Sequence, residues 1–113
     1  MDKQPFVSVI MPVRNEADFI EQAVRSILNT DYPAHLMEVL VVDGMSDDGT
    51  RQIISRLAEE DKRIQLLDNP KKIVPSAMNI GLRESRGSVF IRLDGHTKVP
   101  ADFISNSVAC LLE

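Results

Sequence analysis

Val89-Phe90-Ile91-Arg92-Leu93-Asp94-Gly95-His96-Thr97 sets an apolar run, a carboxylate, a glycine and an imidazole in that order. The run has the length and composition of a buried strand, and Gly87-Ser88 punctuates the chain in front of it. Asp94 then stands where the strand leaves the core. In an open parallel sheet the carboxyl-terminal edge is where ligands bind. Asp94 and His96 together have the chemistry to grip a divalent metal or a ribose hydroxyl. A polar turn that ends in histidine has the same composition, so the stretch alone leaves both readings open.

Three further apolar runs precede it. Val7 to Val13 reads as a first strand, closed by the proline at position 12, and Glu38 to Asp43 as a second that again finishes in a carboxylate. Ile64 to Asp68 is a short third. Between them lie helical patterns. Asp18 to Asn29 places Ile20, Ala23, Val24, Ile27 and Leu28 on one face, and Asp31-Tyr32-Pro33 ends it. After the turn-rich Gly44-Met45-Ser46-Asp47-Asp48-Gly49-Thr50, with Asp47 or Asp48 as N-cap, a second helix turns Ile53, Ile54, Leu57 and Ala58 inward. Pro75-Ser76 opens a third helix that runs to about Ser85, with Gly87 as its stop. Pro100 starts a fourth, with Phe103, Ile104, Val108, Leu111 and Leu112 inward and Cys110 buried among them. That pattern reaches Glu113 without a capping glycine and reads as a cut end.

Strands alternating with helices mean an α/β fold: an open, mainly parallel sheet with right-handed crossovers and helices on both faces. The expected order is 3-2-1-4, which puts the switch point between strands one and four. The loops Pro12–Glu16 and Asp94–Lys98 then face each other across a crevice, with Asp43 one strand away. Asp94 becomes part of a site rather than a lone turn residue.

Composition narrows the ligand. At 113 residues the chain is one domain, and its hydrophobic share of 43% suits a soluble globular protein. A net charge of −4 and only four Phe and one Tyr argue against nucleic acid, which needs a basic face and stacking rings. A single cysteine excludes a disulfide framework and a cysteine zinc site. The apolar run near the amino end is too short for a membrane span, so the expected compartment is the cytoplasm. A dinucleotide fold needs Gly-x-Gly-x-x-Gly after the first strand, where Pro12-Val13-Arg14-Asn15-Glu16 holds no glycine. There is no phosphate loop ending in Gly-Lys-Ser/Thr. A receiver domain would want more acidic company around Asp68.

Four segments carry a positive match, in order and in spacing. They are Val9 to Glu16, Val42 to Thr50, Ala77-Met78-Asn79-Ile80-Gly81, and Arg86-Gly87 through Asp94-Gly95-His96. Together they resemble the N-terminal, donor-binding half of the family 2 glycosyltransferases, which have a Rossmann-like nucleotide-diphospho-sugar transferase fold. The nearest look-alikes are the succinoglycan-type enzymes of bacterial exopolysaccharide synthesis.

The resemblance implies roles. Pro12, Val13, Arg14, Asn15 and Glu16 line the nucleotide pocket. Asp43 accepts a hydrogen bond from the base, which suits uracil and hence a UDP-sugar. Asp94 matches the first acid of the family's Asp-x-Asp element, near ribose and metal. His96 stands where the second, metal-coordinating Asp usually does, so Asp94 and His96 are the metal ligands expected here for manganese or magnesium. Asn79 and Gly81 shape the third helix against the pocket wall, with Asn79 counted among the donor-binding residues. Gly44-Met45 departs from the usual Asp-Gly. Lys71 and Lys72 read as solvated loop lysines, His35 as exposed, and Arg86 receives no role.

The reaction so implied is attack of an acceptor hydroxyl, on a saccharide or a lipid-linked carrier, on the anomeric carbon of the donor sugar. The general base that takes the acceptor proton is expected beyond Glu113, so no catalytic residue is assigned and the chain alone is expected to be inactive. The full-length protein is expected in the cytoplasm, at the inner face of the membrane. An open sheet edge is where a second copy would pair into a homodimer. The competing reading, from another class, is a non-catalytic nucleotide- or partner-binding α/β module.

Overall fold

The computed structural model describes residues 4–112. Its strands are β1 (Val7–Val13), β2 (Met37–Asp43), β3 (Ile64–Asp68) and β4 (Val89–Arg92). Its helices are α1 (Ile20–Leu28), α2 (Thr50–Glu60), α3 (Val74–Glu84) and α4 (Phe103–Leu111), with a short 3₁₀ turn at Ala34–Leu36. The strands form one sheet in the order β3-β2-β1-β4, and every pairing is parallel. Both the order and the class agree with the expectation from sequence.

Burial explains the order. All of β2, and all of β1 except the half-buried Pro12, are buried, as strands covered on both faces must be. The proline costs no ladder bond on the β4 side because it lies beyond Ile10, the last β1 residue paired with β4. β3 and β4 are edges. In β4, Val89 and Ile91 point inward while Phe90 and Arg92 are exposed, so the run read as fully buried is a half-covered edge strand.

The two sheet faces are covered unequally. Val7, Val9, Met11 and Val13 of β1 pack with Val39 and Val41 against α1, α2 and α4. The alternate residues Ile10, Leu40 and Val42 meet only α3, through Ala77, Met78 and Ile80. A single helix closes that face because its connection must cross from β3 over β2 and β1 to reach β4. Close approach is required there. A Cβ on Gly81 would lie 2.5 Å from Ile10 Cγ2, so α3 rests its backbone on β1 at this point.

Four details differ from the sequence reading. Cys110 is exposed, as are Leu111 and Leu112, because α4 turns Ile104 and Val108 to the core and these three away from it. Neither Asp47 nor Asp48 is the N-cap of α2. That position is Gly49 in the left-handed region (φ 100°), and Asp48 acts from one residue earlier. Pro100 only begins a turn, and α4 starts at Phe103. Gly87 does not stop α3, which ends at Glu84. It lets the chain pass against β1, where a Cβ would meet Ser8 Oγ at 2.5 Å.

Arg86, given no role from sequence, also works at that edge. Glu38 is buried at the start of β2, and its carboxylate accepts from Ser8 Oγ (2.7 Å), Arg86 N (2.7 Å) and Arg86 Nε (3.1 Å). The guanidinium lies over the Phe6 ring, 5.2 Å from its centre. This network fixes the entry of β4, and thereby the height at which Asp94 leaves the sheet.

Candidate functional site

The carboxyl-terminal edge of the sheet begins with the loop after β1. Its amides at positions 15, 16 and 17 point at the β2–α2 loop and are all taken by side chains there. Asn15 N donates to Ser46 Oγ (2.8 Å), Glu16 N to Thr50 Oγ1 (2.9 Å) and Ala17 N to Asp48 Oδ2 (3.2 Å). Return contacts run from Asp47 N to Asn15 Oδ1 (3.0 Å) and from Arg14 Nε to Gly44 O (3.1 Å). The polar run from Ser46 to Thr50 is thus a clamp on the first loop. Thr50 is wholly buried for this purpose. Hydrogen bonds from the Thr50 hydroxyl first of all, and from the Ala17 and Thr50 amides, hold the Asp48 carboxyl below the usual aspartate value.

Asp43 ends β2 inside this frame, wholly buried. Its Oδ2 accepts from Ser46 N (2.9 Å) and Arg51 Nη1 (2.9 Å), and its Oδ1 from Ser46 Oγ (2.5 Å). A carboxylate has about four acceptor positions, and three are filled. The fourth, on Oδ1 beside the Ser46 hydroxyl, is the one left for a further donor.

The loop after β3 forms the opposite wall. Asn69, itself buried, holds Ile73 O through its side-chain amide and accepts from Ser76 Oγ. Lys72 follows at φ 65°. Each of the three loops carries one such residue: Asn15 at φ 54°, Met45 at φ 59° and Lys72 at φ 65°. Left-handed residues other than glycine cost free energy, and they collect where a site needs a set geometry. Gly44 lies between two of the loops, where a Cβ would come within 3.3 Å of Arg14 Cδ and 3.4 Å of Lys72 Cα.

Beside these loops opens a crevice of about 200 Å³, lined on one side by Pro12, Val13, Arg14 and Glu16 and on the other by Asn69, Lys72 to Val74 and Ala77. Sites for whole drug-sized ligands are ~300–1,000 Å³, so this one is sized for a base and part of a ribose. Its walls are mixed: Pro12, Val13, Ile73, Val74 and Ala77 are apolar, while Arg14 and Lys72 bring positive charge, Glu16 a carboxylate and Asn69 an amide, with the amino end of α3 alongside.

The loop after β4 does meet the first loop, as the topology requires, but the two touch. A Cβ on Gly95 would lie 2.7 Å from Val13 Cγ1 and 3.2 Å from Glu16 Cγ, so glycine is what lets them close. The hollow consequently lies on the other flank of the Pro12–Glu16 loop, towards α3, and not between strands one and four. His96 Nδ1 is 3.5 Å from Glu16 Oε1. Asp94 is half exposed, with Arg92 Nη2 at 4.0 Å.

Among the described residues no three His, Cys, Asp or Glu side chains gather into a metal cage. A carboxylate and an imidazole at one strand end still fit a manganese- or magnesium-type ion whose remaining ligands are phosphate oxygens and water.

The sequence-derived residues thus fall into groups. Pro12, Val13, Arg14 and Glu16 line the crevice. Asn15 works as a brace between loops, and Asp43 stands behind the wall. Asp94 and His96 sit at the far side of Glu16. Asn79 is exposed on α3 and faces a separate hollow with Pro70, Lys71 and Arg83. Lys72, read as a solvated loop lysine, is exposed and also borders the crevice. Ser46, Thr50 and Arg51 were not singled out. The one signal for them was their place in the polar run after β2.

The family pattern described as Glycosyl transferase family 2 matches residues 8–112. Over 102 residues the chain is 39% identical to the succinoglycan biosynthesis protein ExoA of Rhizobium meliloti (strain 1021), covering 88% of this chain and 31% of that protein. It is 32% identical over 108 residues to the glycosyltransferase AglE of Haloferax volcanii, covering 95% of this chain and 36% of that one. Among solved structures, the mannosyltransferase PcManGT from Pyrobaculum calidifontis, in complex with GDP-Man and Mn2+, is similar at a TM-score of 0.92 and 33% identity. That match covers 98% of this chain and 33% of PcManGT. The chain spans about a third of the length of the relatives it matches.

Proposed function

This chain belongs to glycosyl transferase family 2, and on that premise we propose that it forms the donor-binding part of an inverting glycosyltransferase of polysaccharide synthesis. Its donor is a nucleotide-diphosphate sugar. The observation that carries the reading is the crevice walled by the loops after β1 and β3 and braced by the loop after β2, each loop holding one non-glycine residue in the left-handed region.

The base enters between Pro12, Val13 and the Ile73–Ala77 wall, and its ring N–H donates to Asp43 Oδ1 beside the Ser46 hydroxyl. Uracil offers such an imide N–H, which makes a UDP-sugar the first reading. Guanine offers one as well, and the GDP-Man bound to PcManGT favours it as the second. Lys72 and Arg14 supply positive charge at the rim. Glu16 keeps His96 beside the first loop, and Asp94 meets the ribose.

Asp94 and His96 would hold a manganese or magnesium ion, which when bound supplies Lewis-acid stabilisation of the leaving diphosphate. Asn79 belongs to the site only through the packing of α3. The proton acceptor for the attacking hydroxyl and the acceptor surface come from residues outside these 113, at the cytoplasmic face of the membrane.

Titration calorimetry with UDP on Asp43→Asn tests the base contact. Losing a charged hydrogen bond of this kind costs about 1.5–3 kcal/mol, or roughly ten- to a hundredfold in affinity. An unchanged affinity would put the base elsewhere.

A further inference from the structure

Arg51 lies in the first turn of α2, outside the crevice, with Gln52, Ser55, Arg56 and Glu59 as its surface neighbours. Its guanidinium nonetheless reaches the carboxylates that end β2 and β3. Nη1 donates to Asp43 Oδ2 at 2.9 Å and Nη2 to Asp68 Oδ1 at 2.5 Å. The two acids are cross-strand partners in register. Asp68 is 60% exposed, while the Asp43 side chain has no exposure at all. Among the described residues Arg51 makes the one salt bridge to Asp43.

We propose that Arg51 is a positioning residue for base selection. Bridged between Asp43 and Asp68, it holds Asp43 Oδ2 and leaves Oδ1 to the Ser46 hydroxyl and an incoming donor, and so sets which bases are accepted without touching the nucleotide. The inference rests on Asp43 reading the base, as set out above.

The two carboxylate oxygens are held in different ways. Oδ2 carries two N–H donors, from the Ser46 amide and from Arg51, and both are fixed by backbone or by a second acid. Oδ1 carries only the Ser46 hydroxyl, which rotates. An incoming ring N–H therefore competes for Oδ1 alone. Uracil and guanine present that donor. Adenine presents a bare ring nitrogen to the same oxygen, and a polar group left facing a polar group it cannot bond is rejected strongly. Without Arg51 only Ser46 holds the carboxylate, its orientation is less firmly set, and the penalty on adenine falls.

The test is calorimetric affinity for UDP, GDP and ADP on the wild type, Arg51→Ala, Arg51→Lys and Asp43→Asn. The wild type should prefer UDP or GDP over ADP by about tenfold or more, and Arg51→Ala should cut that ratio to within about twofold. Arg51→Lys should restore part of it, since an ammonium carries the charge without the planar fork that spans both acids.

A residue that only stabilised the fold would weaken all three nucleotides alike and leave the ratio standing, which would overturn the proposal. If Asp43→Asn removes the ratio and Arg51→Ala does not, the role of Arg51 fails while the base contact survives. If Asp43→Asn also keeps the ratio, or the wild type shows none, the base contact fails and Arg51 with it. Should Arg51→Ala not fold, Asp68→Asn frees one arm of the guanidinium at an exposed position. Its ratio should drop by about threefold, and an unchanged ratio overturns the proposal.

Discussion

Asp48 binds the first loop to the second through Ala17 N, Thr50 N and Thr50 Oγ1, and those bonds make a prediction in pH. Its carboxyl is held below the ordinary 3.8. A group with a depressed folded pKa adds stability that is present above its unfolded value and is lost as pH falls through the folded one. The melting temperature of Asp48→Asn should therefore lie below that of the wild type at pH 7, and the two should converge below about pH 3.8. A gap of constant size across pH would mean the charge of Asp48 does nothing for the loop. Glu21 and Asp61 are lowered too, mainly by hydrogen bonds from Arg25 and Arg63, so both proteins should share a further acid loss. At this scale the sequence was read unevenly. Asp43 and Asp94 could be found because an acid at the end of an apolar run marks the sheet edge. Ser46, Thr50 and Arg51 could not, since their meaning lies in contacts with residues up to 34 positions away. Lys72 is exposed as a loop lysine should be, and its place beside the crevice is set by the fold, which the composition of a turn does not carry.

Among the elements, α3 carries more than its length suggests. It alone covers the face of Ile10, Leu40 and Val42, and its amino end forms a wall of the crevice. Gly81→Ala places a methyl 2.5 Å from Ile10 Cγ2. Overpacking of this kind costs about 1–3 kcal/mol, which in a domain near 100 residues lowers Tm by roughly 4–8 °C per kcal/mol. Thermal denaturation should show that fall, with nucleotide affinity dropping alongside as the α3 wall shifts. A Tm within about 1 °C of the wild type would mean that α3 is not seated by that contact. The strands and helices were legible because apolar spacing is set by burial: β1 and β3 were read to the residue, and the other elements to within about three positions. The end of α4 was not. Cys110, Leu111 and Leu112 continue an apolar stretch, but only Ile104 and Val108 lie on the side that meets the sheet.

In the whole molecule, the order β3-β2-β1-β4 brings four strand ends to one edge. That order is the commonest winding for strands alternating with helices under right-handed crossovers, so the switch point could be named from sequence. The exact place of the hollow could not. It depends on Gly95 letting the first and fourth loops close on each other, and on α3 arriving over β1. Two phosphates brought to this edge meet Asp94, and like charges ~4 Å apart repel by about 4 kcal/mol at an effective dielectric of ~20. A divalent ion between them reverses the sign. The most direct measurement of the donor-site reading is the calorimetric affinity of the 113-residue chain for UDP and GDP, taken in manganese and again in chelator. Saturable binding of one of them in manganese, weakened by about tenfold or more in chelator, is the predicted result. Failure of both to bind, or equal binding with and without the metal, would contradict it.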